Sequence, residues 1–395
     1  MKQKYVGLTG NEAVATAFRQ ARPHVAPAFP ITPQTEMMHK FADFVADGRV
    51  DTEMVLVESE HSAMSAAIGS AATGARTFTA TSSAGFALMW EVVYIAASLR
   101  LPICMPVVNR ALSGNINIHN DHSDTMGGRD AGWIQLFCEN AQEAYDTALM
   151  CWRIAEHADV RIPVMINYDG FIISHTAESL HILEDDDAWK FIGPKDLKTG
   201  YSLLDVEKPI TVGPLDLTDY YFEHKVSQME ALNRAPKTIK KVFDEFGKLS
   251  GRQYDFLEEY RTEDAELIIV AIGSTCGTAK DVIDAQREKG VKVGLVKIRM
   301  FRPFPAETIA KALGKAKVVG VMDKSASFGA HGGPLFMEIR SALYGKAKAP
   351  KIHNWIYGLG GRDTDTTQIE DLIAQLQAIA GGQKSEDVNL LGVRL

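Results

Sequence analysis

The sequence predicts an α/β protein built from two doubly wound parallel-sheet domains. Three observations carry that expectation. Short apolar runs alternate with helical stretches in β–α order. The runs are apolar along their whole length rather than on every second residue, as in strands covered on both faces. The pattern occurs twice, over residues 1 to about 175 and again from 263, with a weakly patterned connector between. A chain of 395 residues is long enough for two domains of ordinary size. The expected boundaries are 1–240, including a connector from about 176, and 260–395.

In the first unit VAPAF (25–29), MVLV (54–57), RTFTAT (76–81), PICMPVV (102–108) and IPVMINY (162–168) are expected to be buried parallel strands. Helical patterns cover 10–21, 34–46, 61–74, 84–99 and 141–158. In the connector, EDDD (184–187) reads as a solvated acidic run, and GPKDLKTGY and EKPITVGPLD as loops. A charged amphipathic helix follows over roughly 223–247, and the length of this region suggests that it wraps a domain or a partner. In the second unit ELIIVAIGS, KVGLVKIRM, KVVGVMDKS and KIHNWIYGLGG are strands, and TAKDVIDAQREKG, RPFPAETIAKAL and TTQIEDLIAQLQAIA are helices. The tail SEDVNLLGVRL, polar then apolar, suits docking on a partner chain.

Composition removes several function classes. Hydrophobic residues make up 46% and charged residues 23%, the profile of a soluble globular protein. A net charge of −8 opposes binding to nucleic acid or an anionic membrane, which needs a basic face. No apolar run reaches membrane-spanning length, and MKQKYVGLTGNEAVATAF lacks the apolar core of a secretory signal. Cys104, Cys138, Cys151 and Cys276 form no CxxC pair, so neither a zinc ribbon nor an iron–sulfur ligand set is encoded. A reducing cytoplasm is the expected compartment.

The candidate functional residues fall at the carboxyl ends of expected strands, where open α/β sheets bind ligands. In FPITPQTE, Pro30 and Pro33 hold Ile31-Thr32 in one shape. The same residues also read as a helix start, with Thr32 as cap and Pro33 at the first helical position. In ESEHSA, Ser59 suits an N-cap and Glu60 the positive end of the helix dipole. Alternatively Glu60 sits dry with a raised pKa and shares a proton with a ring nitrogen of a cofactor. In TSSAGF, small residues around Ser83 either bring backbone N–H groups to a ligand or simply cap a helix.

The stretch NRALSGNINIHNDHSDTMGGRD (109–130) is too polar for a core. Arg110, directly after a strand, offers a planar fork for a carboxylate, or an ion pair to a loop aspartate. His119, Asp121, His122 and Asp124 are of metal-ligating type but without an established spacing, so no metal is assigned here. SFGAHGGP (327–334) and GLGGRD (358–363) lack the dinucleotide fingerprint, which leaves a nicotinamide dehydrogenase unsupported. They are expected to shape interfaces between domains or subunits.

Together TGNEAVATA, PITPQT, ESEHSA, FTATSSAGFALMWE, NRAL with DHSDTM, INYDGF, the connector's VGP and DYY, IRMFRPFP and YGLGGRD, in that order, resemble one family. It is that of the α subunits of thiamine-diphosphate-dependent 2-oxoacid:ferredoxin oxidoreductases, and the resemblance covers nearly the whole chain. It implies a pyrimidine-binding domain followed by a transketolase-C-terminal-like domain. It implies thiamine diphosphate shared with a β subunit that holds the diphosphate and Mg2+. It also implies [4Fe-4S] clusters in a γ or ferredoxin-like subunit, with ferredoxin as electron acceptor. By the same resemblance Glu60 is the catalytic residue that hydrogen-bonds the aminopyrimidine. Thr32 and Arg110 hold the carboxylate of a small anionic substrate, and Pro30, Ile31 and Ser83 line the cofactor.

Where the pyruvate enzymes carry Ala-Pro and an aromatic in the loop after the arginine, this chain has Gly114-Asn115 and His119. A methyl group wants an apolar wall, whereas a second carboxylate needs hydrogen bonds or positive charge. Asn115 and His119 therefore tilt the expected substrate towards oxalate, yielding two CO2 without coenzyme A; the alternative is pyruvate, yielding acetyl-CoA. The reading of another class, a non-catalytic scaffold subunit, requires that Thr32, Arg110 and Glu60 lie apart.

Overall fold

The computed structural model describes residues 3–195, 202–347 and 349–394. Part of the expected loop GPKDLKTGY, residues 196–201, lies outside them. The first unit runs β1 (Gln3–Thr9), α1 (Gly10–Ala21), β2 (Val25–Ala28), α2 (Thr35–Ala46), β3 (Glu53–Leu56), α3 (Glu60–Ala72), β4 (Thr77–Phe78), α4 (Ser83–Leu88), α5 (Trp90–Ser98), β5 (Ile103–Asn109), α6 (Ser123–Gly127), β6 (Ile134–Phe137), α7 (Ala141–Glu156), β7 (Val164–Asp169), β8 (Ala177–Leu183), α8 (Asp185–Ile192) and the long α9 (Tyr221–Ser250). The second runs β9 (Leu257–Tyr260), β10 (Leu267–Ala271), α10 (Thr275–Glu288), β11 (Val293–Ile298), β12 (Met300–Arg302), α11 (Ala306–Leu313), β13 (Val318–Asp323), α12 (Pro334–Leu343), β14 (Lys351–Tyr357), α13 (Thr366–Ala380) and β15 (Val388–Leu391). None of the described helices is long and apolar enough to cross a membrane.

Each unit winds around its own sheet. The strand orders are β12-β6-β7-β5-β4-β2-β3 and β15-β14-β13-β10-β11-β9. All pairings are parallel except those of β12 with β6 and β9 with β11. Residue alternation shows why both faces must be covered. On β5, Ile103, Met105 and Val107 pack under α3 and α5, while Cys104 and Val108 join α1, α2 and α7 on the opposite face. On β11, Val293 and Leu295 face α10 and α13, and Val296 and Ile298 face α11 and α12. The continuous apolar runs follow from this two-sided burial.

Several elements depart from expectation. MVLV is the sheet's edge rather than a buried strand, and Leu56 is 77% exposed. The 84–99 helix breaks at Met89 into α4 and α5. KVGLVKIRM breaks at Arg299, and its second piece, β12, crosses over as the antiparallel edge of the first sheet. EDDD faces solvent as expected, with Asp185 and Asp186 exposed, but it forms the start of α8, and Asp185 receives both arms of the Arg19 guanidinium at 2.6 and 2.7 Å. β1 and β8 form a separate antiparallel ladder whose polar alternation leaves no apolar run in the sequence. Within the chain, the tail adds β15 to β14 as the edge of its own sheet.

Charge as well as the shared strand joins the two units. Glu139 and Glu143 of the first meet Lys280, Lys297 and Arg299 of the second, with Glu258 beside them. Burial alone would raise the pKa of Glu143, but Arg299 and Lys297 pull it down to about 2. Asp169, at the end of β7, accepts from Ser274 N and Oγ at 3.2 and 2.5 Å and from Lys324 Nζ at 3.3 Å, and pairs with His122 Nε2 at 2.8 Å. Burial would raise this carboxyl too, yet Lys324 and His122 hold it well below the usual carboxylate range.

Candidate active site at the carboxyl ends of the first sheet

The loop after β2 is held from three sides. Ile31 O accepts from Gln34 N and Thr35 N, Asn11 Nδ2 donates to Pro33 O at 3.0 Å, and Gly170 packs on Pro33. A Cβ on Gly170 would lie 2.5 Å from Asn109 O and 2.9 Å from Pro33 Cγ, so only glycine lets these loops close. The Thr32–Pro33 peptide is cis, and α2 starts only at Thr35 with Gln34 before it. Thr32 is therefore not a helix cap. Its side chain and Pro30 are exposed, Ile31 is half-buried, and Thr32 Oγ1 makes no hydrogen bond among the described residues.

Glu60 opens α3, behind Ser59, whose hydroxyl accepts from Ser62 N as an N-cap should. The carboxylate is turned inward: Glu60 is 5% exposed and has no side-chain hydrogen-bond partner among the described residues. Burial raises its pKa, against a smaller opposing pull from its own backbone N–H. The wall opposite is Gly85, where a Cβ would come 2.5 Å from Glu60 Oε1 and 2.7 Å from Thr81 Oγ1. The Thr81 hydroxyl is buried and also unpartnered. An inward carboxyl without a side-chain partner, beside a buried unpartnered hydroxyl, suits a ring bearing both donor and acceptor nitrogens, as an aminopyrimidine does.

Arg110 leaves β5 and turns back over the β2 loop. Its Nη1 donates to Thr32 O at 2.9 Å and its Nε to Asn117 O at 2.9 Å. No carboxylate among the described residues pairs with the guanidinium, so the ion-pair alternative is not what the chain forms. Burial lowers the pKa of Arg110, and Asp124 works in the other direction. Thr32 and Arg110 are thus brought together, whereas the scaffold reading needs them apart.

The remaining residues of the polar loop fare differently. Asn115 and His119 are exposed, and His119 leans on Phe171 with ring centroids 5.3 Å apart. They form no closed wall among the described residues. Ser83 does not offer donors to a ligand: its N–H goes to Asp124 Oδ2 at 3.1 Å and its hydroxyl to Ala111 O at 2.5 Å. The residues of metal-ligating type each have separate work. Asp121 accepts from Ser123 N, Ser123 Oγ and Gly360 N, and His122 pairs with Asp169. Among the described residues one acidic trio, Glu139, Glu143 and Glu258, has metal-site spacing, but lysine and arginine already neutralise it. GLGGRD does form an interface: Asn117 Nδ2 donates to Gly360 O at 2.9 Å, and Gly361 lies against His119. The sequence does not single out Thr81, marks Gly85 only as part of a motif that brings backbone N–H groups to a ligand, and marks Asp124 only as a metal-ligating type; the glycine inside a helix start is the available signal.

Residues 16–244 match the family model "Pyruvate flavodoxin/ferredoxin oxidoreductase, thiamine diP-bdg", and 265–369 match "Pyruvate:ferredoxin oxidoreductase core domain II". The pyruvate synthase subunit PorA of Thermotoga maritima is 55% identical over 98% of both chains. PorA of Methanocaldococcus jannaschii is 46% identical over 98% of this chain and 97% of its own. The ketoisovalerate oxidoreductase subunit VorA of Pyrococcus abyssi is 41% identical over 94% and 93%. In structure the chain is similar to a 2-oxoglutarate:ferredoxin oxidoreductase from Magnetococcus marinus, with a TM-score of 0.73 and 19% identity. That match covers 95% of this chain and 65% of the other, and shows a shared fold. The family matches, the relatives along the whole chain and the two-domain fold agree, and the chain belongs to the 2-oxoacid:ferredoxin oxidoreductases as an α subunit.

Proposed function

We propose that this chain is the α subunit of a complex that oxidatively decarboxylates pyruvate in the presence of coenzyme A and passes the electrons to ferredoxin. The observation that carries this reading is the 55% identity, over 98% of both chains, to a pyruvate synthase subunit. The polar loop tilts the sequence towards oxalate, but Asn115 and His119 do not close into a wall, and the relatives' names back pyruvate better. Residues 1–240 act as the pyrimidine-binding domain and 260–395 as the transketolase-C-terminal-like domain.

Thiamine diphosphate supplies an electron sink for the carbon that loses CO2. Glu60 holds a proton at its buried carboxyl for the aminopyrimidine ring, and Thr81 and Gly85 shape that slot. Pro30 and Ile31 line it, at the end of the fixed loop. Arg110 and the Thr32 hydroxyl orient the substrate carboxylate, with the guanidinium aimed by Thr32 O and Asn117 O. The diphosphate, Mg2+ and [4Fe-4S] clusters belong to β and γ or ferredoxin-like partner chains. The apolar connector, with Leu204 72%, Val206 84% and Leu215 89% exposed, gives a partner a surface to cover.

The test is a steady-state assay of the purified complex with a one-electron acceptor dye, with pyruvate or oxalate, each with and without coenzyme A. Turnover of pyruvate that depends on coenzyme A supports the proposal. Turnover of oxalate without it, and none of pyruvate, overturns the substrate assignment.

A further inference from the structure

One buried carboxylate ties the substrate arm of the site to its cofactor arm. Asp124, on the short α6, has no solvent exposure. Its Oδ2 accepts from Ser83 N at 3.1 Å and from Arg110 N at 3.0 Å. Its Oδ1 accepts from Asn109 Nδ2 at 2.9 Å and from its neighbour Thr125 N at 2.7 Å. Ser83 begins α4, the helix whose Gly85 walls Glu60, and Arg110 carries the fork bonded to Thr32 O. Ser83 sits at φ 43°, a backbone shape that non-glycine residues rarely keep without support. A single oxygen thus receives the main-chain N–H groups of both arms.

We infer that Asp124 is a positioning residue for the proposed reaction, fixing the Arg110 clamp and the Gly85 wall of Glu60 in one register. The inference rests on the assignment of Arg110 as the carboxylate clamp. Asparagine has the same shape but only one acceptor oxygen. Its NH2 would face either the Ser83 and Arg110 donors or the Asn109 and Thr125 donors, and that pair would lose its acceptor in a dry pocket. The main chain at Ser83 or Arg110 then shifts, while the groups that touch substrate and cofactor remain present.

The experiment is a double-mutant cycle in the assembled complex, reading KM and kcat for pyruvate alongside the thermal midpoint. Arg110→Gln should raise KM about tenfold or more, the scale of a lost charge-assisted hydrogen bond. Asp124→Asn should also raise KM about tenfold, yet change it less than about twofold in the Arg110→Gln background, because it acts through that residue. A lowered thermal midpoint with unchanged KM, or KM effects that multiply in full, would overturn the inference. Should Asp124→Asn fail to assemble, Asn109→Ala removes one donor to the same carboxylate. It should raise KM in the same direction, and an unchanged KM there counts against Asp124 equally. Arg110→Gln with an unchanged KM overturns the clamp itself, and the role of Asp124 falls with it. A KM effect of Arg110→Gln alone overturns only the role of Asp124.

Discussion

At the residue scale, Glu60 shows how one side chain meets two demands. Its place in the first turn of α3 is what a helix N-terminus asks of any acid, and its spacing says no more than that. The second demand becomes visible only with Gly85 against it and the unpartnered Thr81 hydroxyl beside it. Glu60→Gln should slow exchange of the thiazolium C2 proton in the complex by about 10²-fold or more, the scale of general acid–base catalysis. Unchanged exchange, followed by NMR, would remove Glu60 from the mechanism. Gly85→Ala tests the wall. Its Cβ would have to share space with Glu60 Oε1, so C2 exchange should fall with the fold kept, and normal exchange would show that the slot has room to spare.

At the element scale, the parallel strands were readable because burial on both faces leaves an apolar run that needs no partner to be recognised. β10, β13 and β14 fall within the expected runs, and β5 and β7 overlap theirs but end one residue beyond, at Asn109 and Asp169. One short buried parallel strand, β6 at Ile134–Phe137, escaped because four residues make too brief a run to stand out. Others escaped because their identity depends on a distant ladder. β1 pairs with β8 across more than 170 residues, from Gln3 to Leu183, and β12 exists as a strand because β6 lies beside it. Helix caps divide for a related reason. Ser59 caps through local geometry alone, whereas Thr32 lost that role to contacts from Asn11, Gly170 and Arg110. The fully buried Leu295 on β11 gives a test of the two-sided core. Leu295→Ala should cost about 2–5 kcal/mol of stability, seen as a lower thermal midpoint, while KM for pyruvate stays unchanged. A change in KM would mean that the second sheet reports directly to the site.

At the scale of the whole molecule, the two units meet through charge and a shared strand. Glu143→Gln leaves Lys297 with Glu139 and Glu258 but Arg299 with only the longer contact to Glu258 at 3.4 Å, so it should lower stability by about 3 kcal/mol, the low end for a broken buried pair. The pH dependence follows from the direction of the shift. Glu143 titrates near 4.5 when unfolded and about 2 when folded. Its contribution, about 3 kcal/mol, is therefore present above 4.5 and lost as pH falls through about 2. Asp124 and Asp323, each raised by burial to about 6, have the opposite sign: their contribution is present below 3.8 and lost as pH rises through 6. Thermal midpoints taken between pH 2 and 7 should show a steep acid loss in the native chain and a shallower one in Glu143→Gln. An identical acid slope would place the sensitive carboxyl elsewhere.

The sequence by itself determined the winding of the two α/β units, the loops that carry chemistry and, through the order of its motifs, the family. These are local properties, because apolar runs, helix starts and short loop motifs are written in contiguous residues. Only the tertiary structure decided that Ser83 is a strut and not a donor, that Thr32 and Arg110 meet, that the tail completes its own sheet and that Asp124 receives both arms of the site. Each of these depends on which distant group satisfies a buried hydrogen-bonding atom, and that choice is made when the chain packs.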